Sequence, residues 1–157
     1  MDLALLSRLN AARSARRAAL LVTPMDGGPQ RLIEADALDP ADPLSAAAAE
    51  RFRSGKSGLV ETDAGRVFLT VHVPPPRIVV IGAVHISQAL APIAAIAGFD
   101  CTVIDPRTAF AADARFDGID LHAAWPQEVI PAKVGLDAFT ALAAVTHDPK
   151  IDDWPIA

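Results

Sequence analysis

RIVVIGAVHISQALAPIAAIAGFDCTVID, residues 77–105, is the stretch that decides the fold. RIVVI (77–81) is an unbroken run rich in β-branched residues, the pattern of a parallel strand covered on both faces. Gly82 follows, then a segment with helical spacing, then a second apolar run, CTVI (101–104), that ends at Asp105. Strand, glycine turn, helix and strand make the opening unit of a Rossmann-like sheet. The nucleotide fingerprint of that unit has three glycines, for the turn, for backbone approach to a pyrophosphate and for helix packing. Here only Gly82 remains, and Val84 and Ser87 occupy the second and third places.

The segment 85–97 places Ile86, Leu90, Ile93 and Ile96 at helical spacing, which predicts a helix that Gly98 ends. Pro92 lies inside it and predicts a kink or an early break near residue 88. DLHAAW (120–125) reads as a third strand, PQEVIPA (126–132) as a short helical turn and TALAAVT (140–146) as a fourth strand. Right-handed crossovers set these strands in the order 3-2-1-4.

Upstream the pattern differs. Residues 2–18 read as a helix with Asp2 at its start and Arg8, Arg13, Arg16 and Arg17 on its solvated side. ALLVT (19–23) and QRLIEA (30–35) read as strands joined by an Asp-Gly-Gly turn, and a helix runs from near Pro43 to Gly55. GLVETD and RVFLTVHV form a second hairpin around DAGR (63–66). The expected architecture is therefore α/β, with a small α+β unit over 1–73, a proline linker at 74–76 and an incomplete Rossmann-like parallel sheet over 77–157.

Composition narrows the function. The chain has 157 residues, 52% hydrophobic and 21% charged, and a net charge of -5, which argues against the basic footprint that nucleic acid requires. No run of 18 apolar residues marks a membrane span, and the apolar stretch near residue 20 is too short for a signal peptide. The single cysteine, Cys101, lies in a strand pattern and reads as an inert buried thiol. Together these features predict a cytoplasmic protein.

In a sheet of this order ligands sit beyond the strand C-termini, between strands one and four. Three separate segments converge there: His85 after the first strand, Asp105 after the second, and His147 with Asp148 after the fourth. Each also has a structural reading: His85 as a helix-start residue, Asp105 and Asp148 as turn formers before proline. His72 and His122 lie in strand patterns and read as structural. Val84 sets a branched side chain where a pyrophosphate would need bare backbone, which disfavours NAD. Asp105, 23 residues after Gly82, keeps an NAD(P)-dependent oxidoreductase as the alternative. No tyrosine is present for a Tyr-Lys proton relay, and Lys133 and Lys150 have no evident catalytic partner.

The segments VVIGAVHISQALAPIAAIAGFDCTVIDPRTAF (79–110), RFDG (115–118), WPQEVIP (125–131) and VTHDPKIDD (145–153), in this order, resemble the Rossmann-like C-terminal domain of the XdhC/CoxI proteins, accessory proteins of molybdenum hydroxylases. The resemblance implies a non-catalytic role: binding molybdenum cofactor (molybdopterin) and assisting its sulfuration and insertion into a xanthine dehydrogenase or CO dehydrogenase type client, in contact with a cofactor sulfurase. Carried over by position, the ligand crevice would be lined by Gly82, Ala83, Val84, His85 and Ser87, by Asp105 and Arg107, and by His147 and Asp148. Arg107 is the cation placed to meet the phosphate. The chain departs from the family pattern twice. No GGGC-like segment, indeed no cysteine, precedes residue 77, and the family's helix and strands with a YIGALGSR-like segment do not follow IDDWPIA, so a truncated reading frame, a fragment or a shortened variant is expected. In such a chain the fourth strand would be an apolar edge without its covering helix, which predicts homodimerisation through that region or poor solubility.

Overall fold

The computed structural model describes residues 2–63 and 65–157. The chain divides into two compact units, one ending at Pro74 and one beginning at Pro75.

In the first unit, α1 (Leu3–Ser14) is followed by β1 (Ala19–Pro24), β2 (Arg31–Glu34), α2 (Ser45–Ser54), β3 (Gly58–Thr62) and β4 (Gly65–His72). The strands form an antiparallel sheet in the order β2-β1-β4-β3. β1 reads as a continuous apolar run because both its faces are covered: Ala19 and Leu21 meet Leu5, Leu9 and Ala12 of α1, and Leu20 and Val22 meet Leu44 and Ala48 at α2. Asp2 caps α1, its carboxylate accepting from the Leu5 N–H at 2.7 Å.

The helix expected over 2–18 stops at Ser14. Arg16 adopts a left-handed backbone (φ 53), and the Arg17 and Arg16 N–H groups bond back to the carbonyls of Ala12 and Arg13. This is a Schellman termination formed without glycine. The arginines do lie on the solvated side, where Arg8 and Arg17 meet Glu34. The DAGR turn includes Ala64, outside the described residues; the strands it joins pair from Gly58↔Leu69 to Thr62↔Gly65.

The second unit holds β5 (Arg77–Ile81), α3 (His85–Ile96), β6 (Asp100–Ile104), β7 (Asp120–His122), α4 (Pro126–Val129), a π-helical turn at Ile130–Val134, β8 (Thr140–Ala144) and α5 (Pro149–Ile156). The sheet is parallel, in the order β7-β6-β5-β8, the 3-2-1-4 arrangement read from the sequence. One face carries α3 and the segment 106–119, packed around Val80, Val103 and Phe116; the other carries α4, the π turn and α5, around Val79, Ile81, Ile104 and Ile151.

The structure chooses the inward side of α3 and corrects two expectations. The inward side of α3 is Ser87, Ala91 and Ala94, with Leu90 partly buried against the same core, while Ile86, Ile93 and Ile96 are 60%, 61% and 88% exposed. Both arcs of this helix are apolar, so periodicity alone does not choose between them. Close approach to the sheet does, because the branched Val80 and Val103 leave room directly beneath the helix for small side chains, with Leu90 at the flank. The predicted break near residue 88 is absent: α3 runs unbroken, and Pro92 lies on its exposed side, where a freed carbonyl can turn to water. Finally, β8 is an edge strand but not bare, since α5 covers one of its faces through Ile151 against Leu142 and Ala144.

Candidate functional site

The C-terminal ends of β5, β6 and β8 are tied together before any ligand is considered. Backbone pairing runs past the strand ends, with Gly82 N–H donating to the Ile104 carbonyl and Val145 N–H to the Ile81 carbonyl. Gly82 has φ +119, and a Cβ built there would lie 2.8 Å from the Thr146 Cγ2 methyl and 3.3 Å from the Thr146 nitrogen. The glycine kept from the fingerprint is thus required by the loop after β8, which crosses directly over it.

Ala83 is buried, and its N–H donates to Asp105 Oδ2 at 2.8 Å. Val84, half-buried, precedes α3 in an extended conformation (φ -101, ψ 179), and no side chain caps the helix. His85 is exposed at the first helical position. Ser87 is fully buried, and its hydroxyl donates to the Gly82 carbonyl, so the small residue at the third glycine position does allow helix and strand to close together.

Asp105 is also fully buried. Its Oδ1 accepts from the Arg107 N–H and Nε, both at 2.9 Å, and its Oδ2 accepts from Arg107 Nη2 at 2.8 Å in addition to Ala83. Burial pushes this carboxyl up, but the bonds from the Arg107 side chain and from the two backbone N–H groups outweigh it and hold the group below the ordinary carboxylate range. A ribose hydroxyl would have to displace one of these donors, so the role that an NAD-binding site gives this acid is already taken within the chain. Asp105 positions other groups and is not itself presented to the crevice.

Arg107 is the group it positions. The Asp105 hydrogen bonds raise its pKa, and the charges of Asp148 and Asp152 add to the effect, which places the guanidinium near the loop after β8. It stacks 4.5 Å from the centroid of the Phe110 ring and remains partly exposed. Because Asp105 takes Nε and Nη2, the Nη1 edge faces away from that carboxylate.

The His147 and Asp148 loop is held by two residues that sequence reasoning had not singled out. Asp152, buried at the start of α5, accepts from the Thr146 hydroxyl at 2.7 Å and from the His147 N–H at 2.8 Å. The Thr146 oxygen in turn accepts from the Asp148 N–H at 3.0 Å. This clasp keeps His147 in a left-handed conformation (φ 59) with its ring exposed, while Asp148 caps α5 through the Lys150 N–H. Both residues were present in VTHDPKIDD; the available signal was the spacing of Thr146 and Asp152 about a residue that must turn sharply.

The structure therefore brings Ala83, Asp105 and Arg107 into one hydrogen-bonded unit, bonds Ser87 to the neighbouring Gly82 and sets Asp148 near it, with His85 exposed in the first turn of α3 and His147 exposed on the loop after β8. His72 lies in β4 and His122 in β7, where its ring is 3.1 Å from Asp120. Among the described residues no group of three His, Cys, Asp or Glu side chains is arranged to hold a metal ion, and no helix is long and apolar enough to cross a membrane.

A strand-turn-helix whose fingerprint acid is bonded inward defines a Rossmann-like domain that departs from ordinary dinucleotide binding. In the comparison with known proteins, residues 78–157 match the family model described as the XdhC Rossmann domain. The chain belongs to the XdhC family. It is also similar to a crystal structure described as a xanthine dehydrogenase from Bacillus halodurans, with 18% identity and a TM-score of 0.62. The match covers 96% of this chain and 48% of that one, so the chain spans about half the length of that protein. No curated protein matches the chain.

Proposed function

We propose that this chain is an accessory protein, not an enzyme, that binds molybdenum cofactor and assists its sulfuration and insertion into a xanthine dehydrogenase or CO dehydrogenase type molybdenum hydroxylase. The observation that carries the reading is the family match across 78–157. The partners in this reading are the client hydroxylase, the cofactor sulfurase and a second copy of the chain.

The residues present suit the anionic end of such a cofactor. The first turn of α3 has no side-chain cap, so its backbone N–H groups are suited to a phosphate, and Arg107 lies one carboxylate away from the Ala83 N–H in the same turn. When bound, the cofactor supplies its own molybdenum and dithiolene chemistry. This chain would orient it through the turn at 82–87 and Arg107, with His85, His147 and Asp148 at the crevice mouth. NAD(P) oxidoreductase chemistry, the alternative, is less well supported because the Asp105 oxygens are engaged within the chain.

Val84→Asp tests the reading without weakening the fold. A carboxylate at this position is a good helix cap, so stability should be kept or raised, yet it would occupy and repel where a phosphate must bind. The chain is co-expressed with an active molybdopterin pathway, purified and oxidised, and its pterin fluorescence is measured. Stoichiometric pterin in the native chain and little in Val84→Asp is expected. Absence of pterin from both, or equal amounts in both, refutes the proposal.

A further inference from the structure

We propose that the open flank beside α3 is the homodimer interface, with each copy's α3 lying over the other copy's β8. This deepens the homodimer reading above and does not depend on the ligand. On the α3 face of the sheet, β8 presents Ala141, Ala143 and Val145, since Ala141 pairs with Ile78 and Ala143 with Val80. Ala141 is exposed and the other two are half-buried; α5, which covers β8, lies on the opposite face.

The outer arc of α3 adjoins this strip. Gln88 exchanges hydrogen bonds with Arg115 of the segment leading to β7, so that side of the helix faces the β7 end of the sheet. At about 100° per residue, Leu90, Ile86 and Ile93 then turn towards β8. Ile86, Ala89, Ile93 and Ile96 continue the apolar surface outward, and α3 carries no charged residue along its length.

The occupant has to be an apolar helix free of charge. The exposed sides of α1, α2 and α5 bear Arg8 and Arg13, Glu50 and Arg53, and Lys150 and Asp153 respectively. α3 itself meets the requirement. Its outer residues are also placed symmetrically about Ala91, so an antiparallel two-fold pair sets Ile86 opposite Ile96 and the small Ala89 opposite Ile93.

The area agrees. A fully exposed isoleucine side chain presents about 130 Å². At their observed exposures the three isoleucines contribute about 270 Å² per copy, so about 540 Å² for the pair, which is nearly half of the about 1,200 Å² total at the lower end for a stable interface. The β8 strip and the flanking alanines extend that apolar centre.

Sedimentation velocity at roughly 100 µM, where a micromolar dimer is almost wholly formed, gives the test. The native chain should sediment as a dimer. Ile93→Glu and Ala141→Glu, both at exposed positions, should raise the dimer Kd at least about 100-fold. Ile156→Glu, 64% exposed on α5, should leave it unchanged. Thermal melts of each variant confirm that the fold is kept. A dimer indifferent to Ile93→Glu and Ala141→Glu would overturn this interface but leave the homodimer reading standing, whereas a native monomer would overturn both.

Discussion

Gly82→Ala should destabilise the second unit sharply, and the structure allows the loss to be divided into parts. A left-handed backbone near φ +119 costs an alanine about 1–3 kcal/mol. The new methyl, 2.8 Å from Thr146 Cγ2 and 3.2 Å from Val145 Cγ2, forces a packed loop to shift, at about 1–3 kcal/mol more. Restricting the unfolded chain returns about 0.4–1 kcal/mol. The net loss is about 3 kcal/mol. Thr146→Ser removes the 2.8 Å clash while keeping the hydroxyl that bonds Asp152 and Asp148. The double variant should therefore recover about 1 kcal/mol of the loss through coupling. Both tryptophans, Trp125 and Trp154, lie in the second unit, so urea denaturation followed by tryptophan fluorescence reports that unit selectively. A Gly82→Ala variant within about 0.5 kcal/mol of the native chain, or a cycle without coupling, would refute the loop-crossing account of this glycine.

Asp105→Asn should cost about 2–4 kcal/mol by the same assay, because it breaks a buried, multiply bonded carboxylate pair; retention of native stability would contradict the bonding described. The same group predicts a pH dependence. Its folded pKa lies below the ordinary value near 3.8, so its stabilisation is complete above that value and is lost as pH falls through the lower folded pKa; Asp105→Asn should flatten this limb of the acid titration. His147→Gly should raise stability by about 0.5–1 kcal/mol by releasing left-handed strain, and a lower melting temperature would argue against it. Burial, with Asp120 nearby, raises the Cys101 pKa, so its labelling by an aromatic disulfide at neutral pH should be markedly slower in the native than in the unfolded chain; equal rates would contradict this.

The parallel sheet was legible because RIVVI, CTVI and TALAAVT are short apolar runs separated by segments of a length suited to crossovers, and the 3-2-1-4 order followed from handedness. The inward side of α3 was not, since isoleucines on one arc and alanines on the other are both apolar. Sequence periodicity weights the larger residues, but the sheet admits the smaller. The end of α1 was missed because Arg16 takes a conformation that usually advertises itself as glycine. At the candidate site, the sequence indicated that the segments after β5, β6 and β8 adjoin, as they do, but not which way Asp105 turns. A carboxylate at a strand end that points outward reads the same as one bonded inward to its own neighbours. Thr146 and Asp152 were overlooked because their contribution lies in hydrogen bonds across a loop, which leave no periodic trace.

The crossing of the β8 loop over Gly82 also bears on how such sequences diverge. A glycine fixed by a neighbouring loop persists whether or not the turn still meets a ligand, so it survives as a relic of architecture even when recognition has changed. Positions 82 and 146 should then drift together: a larger residue at 82 becomes acceptable only in lineages that have shortened the side chain at 146 or moved the loop. In related chains, retention of the first glycine alone is weak testimony to nucleotide binding, and the residue opposite it in the β8 loop tells why it has been kept.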